Sequence, residues 1–176
     1  WLEIQDVEWD FIIHNGLAKD IIIPSKRSPR PHQNDAIQAS IQYYLNDNNT
    51  RGKLIMPCGT GKSLAAYWIA DALNSKSTIV AVPSLALIKQ SLDDWTKEMV
   101  LGKKDALPDW LCICSDESTG KVNDDFVSDT YSLGIPTTTS ENEIAKFLAL
   151  KSPFGKIIFT TYQSADKLAS VSKSIN

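Results

Sequence analysis

The chain has 176 residues, of which 43% are hydrophobic, and it carries a formal net charge of −3. This length is typical of one domain with a single apolar core, and there is no apolar run of about 18 residues that would span a membrane. The acidic balance argues against a protein that binds nucleic acid over a broad basic surface, so any such contact is expected to be local.

Residues 1–29 form a predicted lead-in segment that mixes tryptophan, isoleucine and charged residues. It begins with Trp1 rather than methionine, so we expect the chain to be a piece of a longer soluble protein. It ends in the Pro/Ser/Arg-rich stretch 24–29, which neither a helix interior nor a central strand would tolerate. We therefore predict a boundary here, with residues 30–176 forming the folded domain.

The spacing of apolar residues predicts alternating helices and strands. In chain order these are a helix over 31–47, a strand over 54–56, a helix over 62–73, a strand over 78–82, a helix over 85–99, a strand over 111–114, a helix over 140–150, a strand over 157–160 and a helix from about residue 163. Ser84 is expected to cap one helix, and Ser140 with Glu143 to form a capping box on another. The strands are short and continuously apolar, which predicts an α/β fold with a mainly parallel sheet.

Three cysteines, Cys58, Cys112 and Cys114, give an odd number with no second Cys or His pair at the spacing of a zinc site. We interpret Cys112 and Cys114 as buried thiols of a strand rather than as metal ligands. Reduced thiols are typical of the cytoplasm, which is where we expect the protein.

A glycine-rich segment, residues 57–63, follows a predicted strand and precedes a predicted helix. Gly59 and Gly61 permit backbone angles and a close approach that a side chain would block, so successive N–H groups can point at phosphate oxygens. The helix that begins at Lys62 adds the positive end of its dipole. The pattern therefore predicts a site for a nucleoside triphosphate, and ATP is the expected ligand.

The roles of individual loop residues follow from this arrangement. We expect Lys62 to reach the β and γ phosphates as the catalytic residue, and Ser63 to hold Mg²⁺ through its hydroxyl. The predicted nucleotide contacts of the loop are Pro57, Cys58, Gly59, Thr60, Gly61, Lys62, Ser63 and Leu64. Met56 stands where the complete pattern has a glycine, and the alternative interpretation is a glycine-rich turn with a chance lysine.

The segment 56–63 resembles motif I of superfamily 2 (DEAD/DEAH-like) helicases, and Arg30-Pro31-His32-Gln33 resembles the adenine-reading segment of that superfamily. The amide of Gln33 can pair with the adenine edge, and Arg30 or His32 can stack on the ring. Arg30 and Gln33 are therefore further predicted ATP contacts. The alternative for Gln33 is a solvated residue in the first turn of a helix.

Two later segments carry the same resemblance. Residues 82–90 are similar to motif Ia and residues 159–164 to motif Ib, and both follow a strand and open a helix. Hydroxyls and free N–H groups at such places can hold a nucleic-acid backbone without reading its sequence. The predicted nucleic-acid contacts are Ser84, Thr161, Gln163 and Ser164. The alternative is that these residues are helix caps.

The whole sequence looks closest to the helicase region of single-chain restriction-modification enzymes of type ISP. The segments that carry this resemblance include Glu8-Trp9-Asp10, residues 51–56, Cys114-Ser115-Asp116 and residues 159–164. The resemblance implies a P-loop NTPase with a RecA-like three-layer fold that uses ATP and Mg²⁺ and has DNA as its partner. It also implies that a second RecA-like domain, a nuclease and a methyltransferase belong to the same parent chain.

The carboxylate pair of such a motor, Asp-Glu-x-His or Asp-Glu-x-Asp, does not occur in the sequence. The resemblance places this motif II beyond Asn176, so we expect a truncated first RecA-like domain that hydrolyses little ATP alone. In the resembling fold, strands from that later part pair beside the motif I strand, so an unpaired sheet edge is expected. The function predicted is the ATP-binding part of a DNA-dependent ATPase or translocase. The alternatives are a P-loop phosphotransferase and a non-catalytic interaction module.

Overall fold

Four parallel strands form one sheet within the residues that the computed structural model describes, 26–102, 107–114 and 133–175. The strands are β1 (Ser77–Val82), β2 (Asp109–Ile113), β3 (Thr137–Thr138) and β4 (Lys156–Thr161). Their order is β1-β4-β2-β3, so β4 is central and Phe159 lies opposite Val80 on one side and Cys112 on the other. All three strand pairs are parallel, which confirms the predicted α/β class.

Five α-helices connect and cover these strands in the described part of the chain. They are α1 (Pro31–Ile41), which continues as a π-helical turn (Gln42–Asn46), α2 (Lys62–Ala72), α3 (Leu85–Leu101), α4 (Glu141–Ala149) and α5 (Ala165–Ile175). Each predicted helix is confirmed with small shifts at its ends. Ser84 caps α3 as expected, because its hydroxyl accepts a hydrogen bond from the Leu87 amide at 3.4 Å.

The predicted capping box at the start of α4 is wrong. The Ser140 side chain makes no capping bond. Thr138 takes its place, because its hydroxyl accepts from the Ser140 amide at 3.0 Å and donates to the Glu143 carboxylate. The threonine at the end of β3 therefore links the Ser140 amide to the Glu143 carboxylate, two groups that a capping box would have bonded directly.

Alternate residues of the central strand point into two apolar clusters, one on each face of the sheet. Phe159 packs on one face with Trp95 of α3, their ring centroids 5.7 Å apart, and with residues of α1 and α2. Ile158 packs on the other face with Ile144 of α4 and Leu168 of α5. Helices therefore cover both faces of a buried parallel sheet, which gives the three layers that were predicted.

The apolar segment Leu54-Ile55-Met56 does not form a strand, which corrects that prediction. Leu54 is 50% exposed and Ile55 80% exposed, and no described strand pairs with them. Apolar sequence alone does not make a strand, because the backbone groups need a neighbouring strand to bond. The segment instead lines a groove beside α1.

The sheet edge formed by β1 has no neighbouring strand among the described residues, and Ile79 on it is 57% exposed. The expected unpaired edge was beside the motif I strand, residues 54–56, which do not form a strand. The predicted lead-in segment lies outside the described residues up to position 25, and residues 26–30 have neither helical nor strand structure. Within the part of the chain that the structure describes, no helix is long and apolar enough to cross a membrane.

Candidate functional site

The glycine-rich loop leads directly into α2 through two residues with left-handed backbone angles. Gly59 has φ 76° and Gly61 has φ 77°, a region that other residues adopt only under strain. Gly61 is also the N-cap of α2, and a Cβ there would lie 2.5 Å from Nε2 of Gln33. Glycine at position 61 is therefore needed for two reasons: it permits the left-handed turn, and it leaves room for the Gln33 side chain of α1.

Two loop side chains converge on one carbonyl. The Pro57 carbonyl accepts a hydrogen bond from the Thr60 hydroxyl at 2.7 Å and from the Lys62 ammonium at 3.2 Å. The first backbone bond of α2 runs from the Ala65 amide to the Gly61 carbonyl at 3.0 Å, so the amides before Ala65 have no partner within the helix. Unpaired amides at the N-terminus of a helix, with a lysine ammonium beside them, can bind an anion.

Gln33 at the start of α1 is tied to this loop. Its Nε2 donates to the Thr60 carbonyl at 2.9 Å and to the Gly61 carbonyl at 3.3 Å, while its Oε1 accepts from the Arg30 amide at 2.9 Å. The residue is 3% exposed, so the alternative of a solvated first-turn residue is wrong. In this arrangement the amide holds the loop. A contact with adenine stays a prediction and would require Gln33 to exchange one of these bonds.

Two cavities lie on either side of the loop and share Gly59, Gly61 and Leu64. The first, of about 470 Å³, is lined on its other sides by residues 26–30, Gln33 and Trp68. The second, of about 440 Å³, is lined by Lys62, Ser63, the end of β1 and one face of α3. The structure thus brings Arg30, Gln33, Gly59, Gly61, Lys62, Ser63 and Leu64 together around one loop.

The other three predicted loop contacts lie apart from these cavities. Pro57 and Thr60 line the groove between residues 54–56 and α1. Cys58 is exposed at the tip of the loop. Their backbone groups remain part of the turn, but the side chains of Pro57 and Cys58 make no bond that defines a role for them in the described residues.

The Ser63 hydroxyl is suited to the predicted Mg²⁺. Its oxygen is buried and has no hydrogen-bond partner, an arrangement that native proteins usually avoid unless a ligand completes it. The carbonyl of the same residue accepts a hydrogen bond from the Trp95 indole at 3.0 Å. Trp95 is 2% exposed and fixes the first turn of α2 from α3. Sequence reasoning had identified Trp95 only as part of an apolar stripe, because a contact across 32 residues leaves no local signal.

The predicted nucleic-acid contacts divide into two groups. Gln163 is exposed, and Ser84 is partly exposed at the start of α3. Thr161 is 0% exposed and Ser164 is 5% exposed, and the Thr161 hydroxyl donates a hydrogen bond to the Ser164 hydroxyl at 3.2 Å. The predicted hydroxyl contacts of Thr161 and Ser164 are therefore corrected, because both side chains hold the turn between β4 and α5.

We expect thiol reagents to label Cys58 alone in the native protein. ATP with Mg²⁺ should slow that labelling, because Cys58 adjoins Gly59, which lines both cavities. Cys112 and Cys114 are buried, with sulfur atoms 3.3 Å apart. The hydrogen bond with Cys114 and burial raise the pKa of the Cys112 thiol far above its ordinary value, so it stays protonated and unreactive. At a ligand concentration about 100 times the Kd, labelling of Cys58 should fall roughly tenfold or more.

Mass spectrometry of alkylated peptides measures this result. Cys58→Ser is the control, because the native variant should then take up no label. Equal labelling rates with and without ATP, or early labelling of Cys112, would contradict the expectation.

Comparison with known proteins places this geometry in a family context. The model of the family described as type III restriction enzyme, res subunit, matches residues 26–175. A nuclease-deletion mutant of the type ISP restriction-modification enzyme LlaGI, in complex with a DNA substrate mimic, is similar with a TM-score of 0.62 and 25% identity. The ATP-dependent type ISP restriction-modification enzyme LlaBIII, bound to DNA, is similar in fold with a TM-score of 0.63 and 24% identity.

These likenesses cover 84% and 85% of this chain but only 14% of the LlaGI chain and 10% of the LlaBIII chain. The chain therefore corresponds to a small part of either enzyme. A comparison with curated proteins gave no match. The RecA-like fold and the resemblance to the helicase region of type ISP enzymes are both confirmed by these comparisons.

Proposed function

Because the chain belongs to the family of the type III restriction enzyme res subunit, we propose that it is the ATP-binding part of a DNA-dependent motor. The observation that carries the proposal is the loop itself. Two glycines with left-handed backbone angles place the N-terminus of α2 and the Lys62 ammonium beside the two cavities. In this proposal the backbone amides of 59–63 bind the phosphates and Lys62 neutralises the β and γ oxygens.

Mg²⁺ fits the proposal through Ser63, whose buried oxygen has no partner among the described residues. When bound, Mg²⁺ would supply positive charge that offsets the negative charge of the phosphates. The Trp95 indole holds the Ser63 carbonyl, so the hydroxyl is carried on a fixed turn of helix. This chain supplies the serine, and further ligands would come from phosphate and water.

DNA is the proposed partner because the LlaGI structure is described as a complex with a DNA substrate mimic and LlaBIII as bound to DNA. The proposed contacts are Ser84 and Gln163, which lie at the carboxyl ends of the neighbouring strands β1 and β4. Both precede or begin a helix, where free amides favour a phosphate backbone. A net charge of −3 is consistent with a small number of contacts of this kind.

We further propose that the whole protein contains a second RecA-like domain, a nuclease and a methyltransferase, and that it acts in the cytoplasm. Support comes from the small share of the LlaGI and LlaBIII chains that this chain covers, and from the reduced state of Cys112 and Cys114, which form no disulfide. Hydrolysis needs carboxylates that polarise water, so the chain alone is expected to bind ATP and turn it over slowly.

The test is ATP hydrolysis by the full-length protein with and without double-stranded DNA. Stimulation by DNA, together with binding of a fluorescent ATP analogue that weakens when Mg²⁺ is removed, is the expected result. DNA-independent hydrolysis or transfer of phosphate to a small molecule would favour the phosphotransferase. Failure to bind the analogue at all would favour an interaction module.

A further inference from the structure

Glu98 on α3 is an unusual residue for the apolar cluster in which it lies. It is 1% exposed, its neighbours on the helix include Trp95 and Met99, and neither carboxylate oxygen has a hydrogen-bond partner in the described residues. Buried carboxylates in proteins are usually paired with a positive charge or hydrogen-bonded. Burial, Asp71 and Glu98 raise the pKa of the nearby Tyr67 to about 12, and a tyrosine side chain carries no positive charge in either form.

The positive charge comes from Arg27, which belongs to the predicted lead-in segment. Arg27 Nη1 lies 3.0 Å from Asp94 Oδ1, and its Nε lies 3.8 Å from Glu98 Oε1. Asp94 and Glu98 are four residues apart on α3 and therefore on the same face. The planar guanidinium has donors in two directions, so one arginine can pair with both carboxylates.

The ion pairs join the walls of the two cavities that flank the phosphate loop. Arg27 lines the first cavity together with Lys26, Ser28 and Arg30, and Asp94 lines the second. A Cβ on Gly102, at the end of α3, would lie 3.8 Å from Cε of Lys26, so the segment runs along this helix beyond the ion pair. Residues 26–29 have neither helical nor strand structure, whereas Arg30 is tied to α1 by the Gln33 side chain and by the first backbone bonds of that helix. Arg27 is therefore the residue that attaches the part of this wall before Arg30 to α3.

We propose that Arg27 is a positioning residue for the nucleoside half of ATP, held by Asp94 and Glu98 so that residues 26–30 close the first cavity. The inference rests on the proposed function and goes beyond the phosphate loop. The triphosphate is bound by the loop and Lys62, whereas the base and ribose are enclosed by a wall whose contact with α3 depends on Arg27. Loss of the ion pairs should therefore weaken ATP binding without weakening the binding of a triphosphate that has no nucleoside.

Isothermal titration calorimetry on the purified protein tests this with two probes, Mg²⁺-ATP and inorganic tripolyphosphate with Mg²⁺. Arg27→Ala is expected to raise the Kd for ATP about five- to fiftyfold and to leave the Kd for tripolyphosphate unchanged. Arg27→Lys should recover part of the affinity for ATP, because it restores the charge without the planar fork. Arg51→Ala is the matched control, since Arg51 is an exposed arginine that lines neither cavity, and it should leave both constants unchanged.

A double-mutant cycle identifies the partner. In an Asp94→Asn background, Arg27→Ala should have a smaller effect on ATP binding than in the wild type, because the pair is already broken. Wild-type ATP affinity in Arg27→Ala, or an equal loss of ATP and tripolyphosphate binding in a variant with a normal melting temperature, would overturn the inference. A wild-type protein that binds neither probe would instead overturn the proposed function on which it rests.

Discussion

Replacing Lys62 by alanine is expected to abolish DNA-stimulated ATP hydrolysis while leaving the fold intact. Lys62 is the first residue of α2, and its ammonium lies over the loop at 3.2 Å from the Pro57 carbonyl. In the proposed function this ammonium is the cation that the loop offers to the phosphates, so its removal should lower turnover by at least about 100-fold. The side chain is exposed, so the free energy of unfolding should change by less than about 0.5 kcal/mol.

The measurement is the ATPase rate of the full-length protein at saturating DNA, with thermal unfolding as the check on folding. Lys97→Ala provides the matched control, because Lys97 is an exposed lysine of α3 that does not line either cavity. Its rate should equal that of the wild type. Undiminished hydrolysis by Lys62→Ala would show that the phosphates bind elsewhere.

Replacing Gly61 by alanine is expected to have the largest effect on stability of any conservative change in the loop. Alanine would have to adopt φ 77°, and its Cβ would lie 2.5 Å from the Gln33 amide. Gln33 can move away, but only by giving up its bonds to the Thr60 and Gly61 carbonyls while remaining in a buried position. The strained backbone and the lost bonds together should lower the free energy of unfolding by about 2–4 kcal/mol.

Gly59→Ala separates the two contributions, because Gly59 has nearly the same backbone angle, φ 76°, and nothing within 4 Å of its Cβ position. It should lose only about 1–2 kcal/mol from the backbone. Urea unfolding is measured for Gly59→Ala, Gly61→Ala, Gln33→Ala and the double variant Gln33→Ala/Gly61→Ala. The double variant should lose less free energy of unfolding than Gln33→Ala and Gly61→Ala lose in sum. Equal losses for Gly59→Ala and Gly61→Ala would show that the contact with Gln33 contributes nothing.

The elements that the sequence predicted well are those whose signal is local. The apolar stripe of α3 and its serine cap lie within one stretch of chain, and so do the glycines and lysine of the loop. The strand predicted over residues 54–56 does not form, because no neighbouring strand among the described residues is in place to bond its backbone groups. A strand depends on a neighbour that a linear pattern does not contain.

The functional details that sequence reasoning missed are long-range contacts. Gln33 was predicted to face a base, but its amide bonds to loop carbonyls 27 and 28 residues away. Thr161 and Ser164 occur in a segment with the right resemblance, yet the turn after β4 points their hydroxyls at each other. Motif similarity therefore pointed to the region of the candidate site, and packing determines which of its side chains face the solvent.

The strand order has a consequence for how the chain assembles during synthesis. β4 lies between β1 and β2, yet it is the last of the four strands along the chain. The ribosome therefore releases the glycine loop, β1 and β2 well before β4, the strand that pairs with both. Closing loops over such distances along the chain is slow. Until β4, which ends at Thr161, has left the ribosome, the nascent chain can form helices but not the complete sheet. The sheet of this domain therefore forms late and almost in a single step.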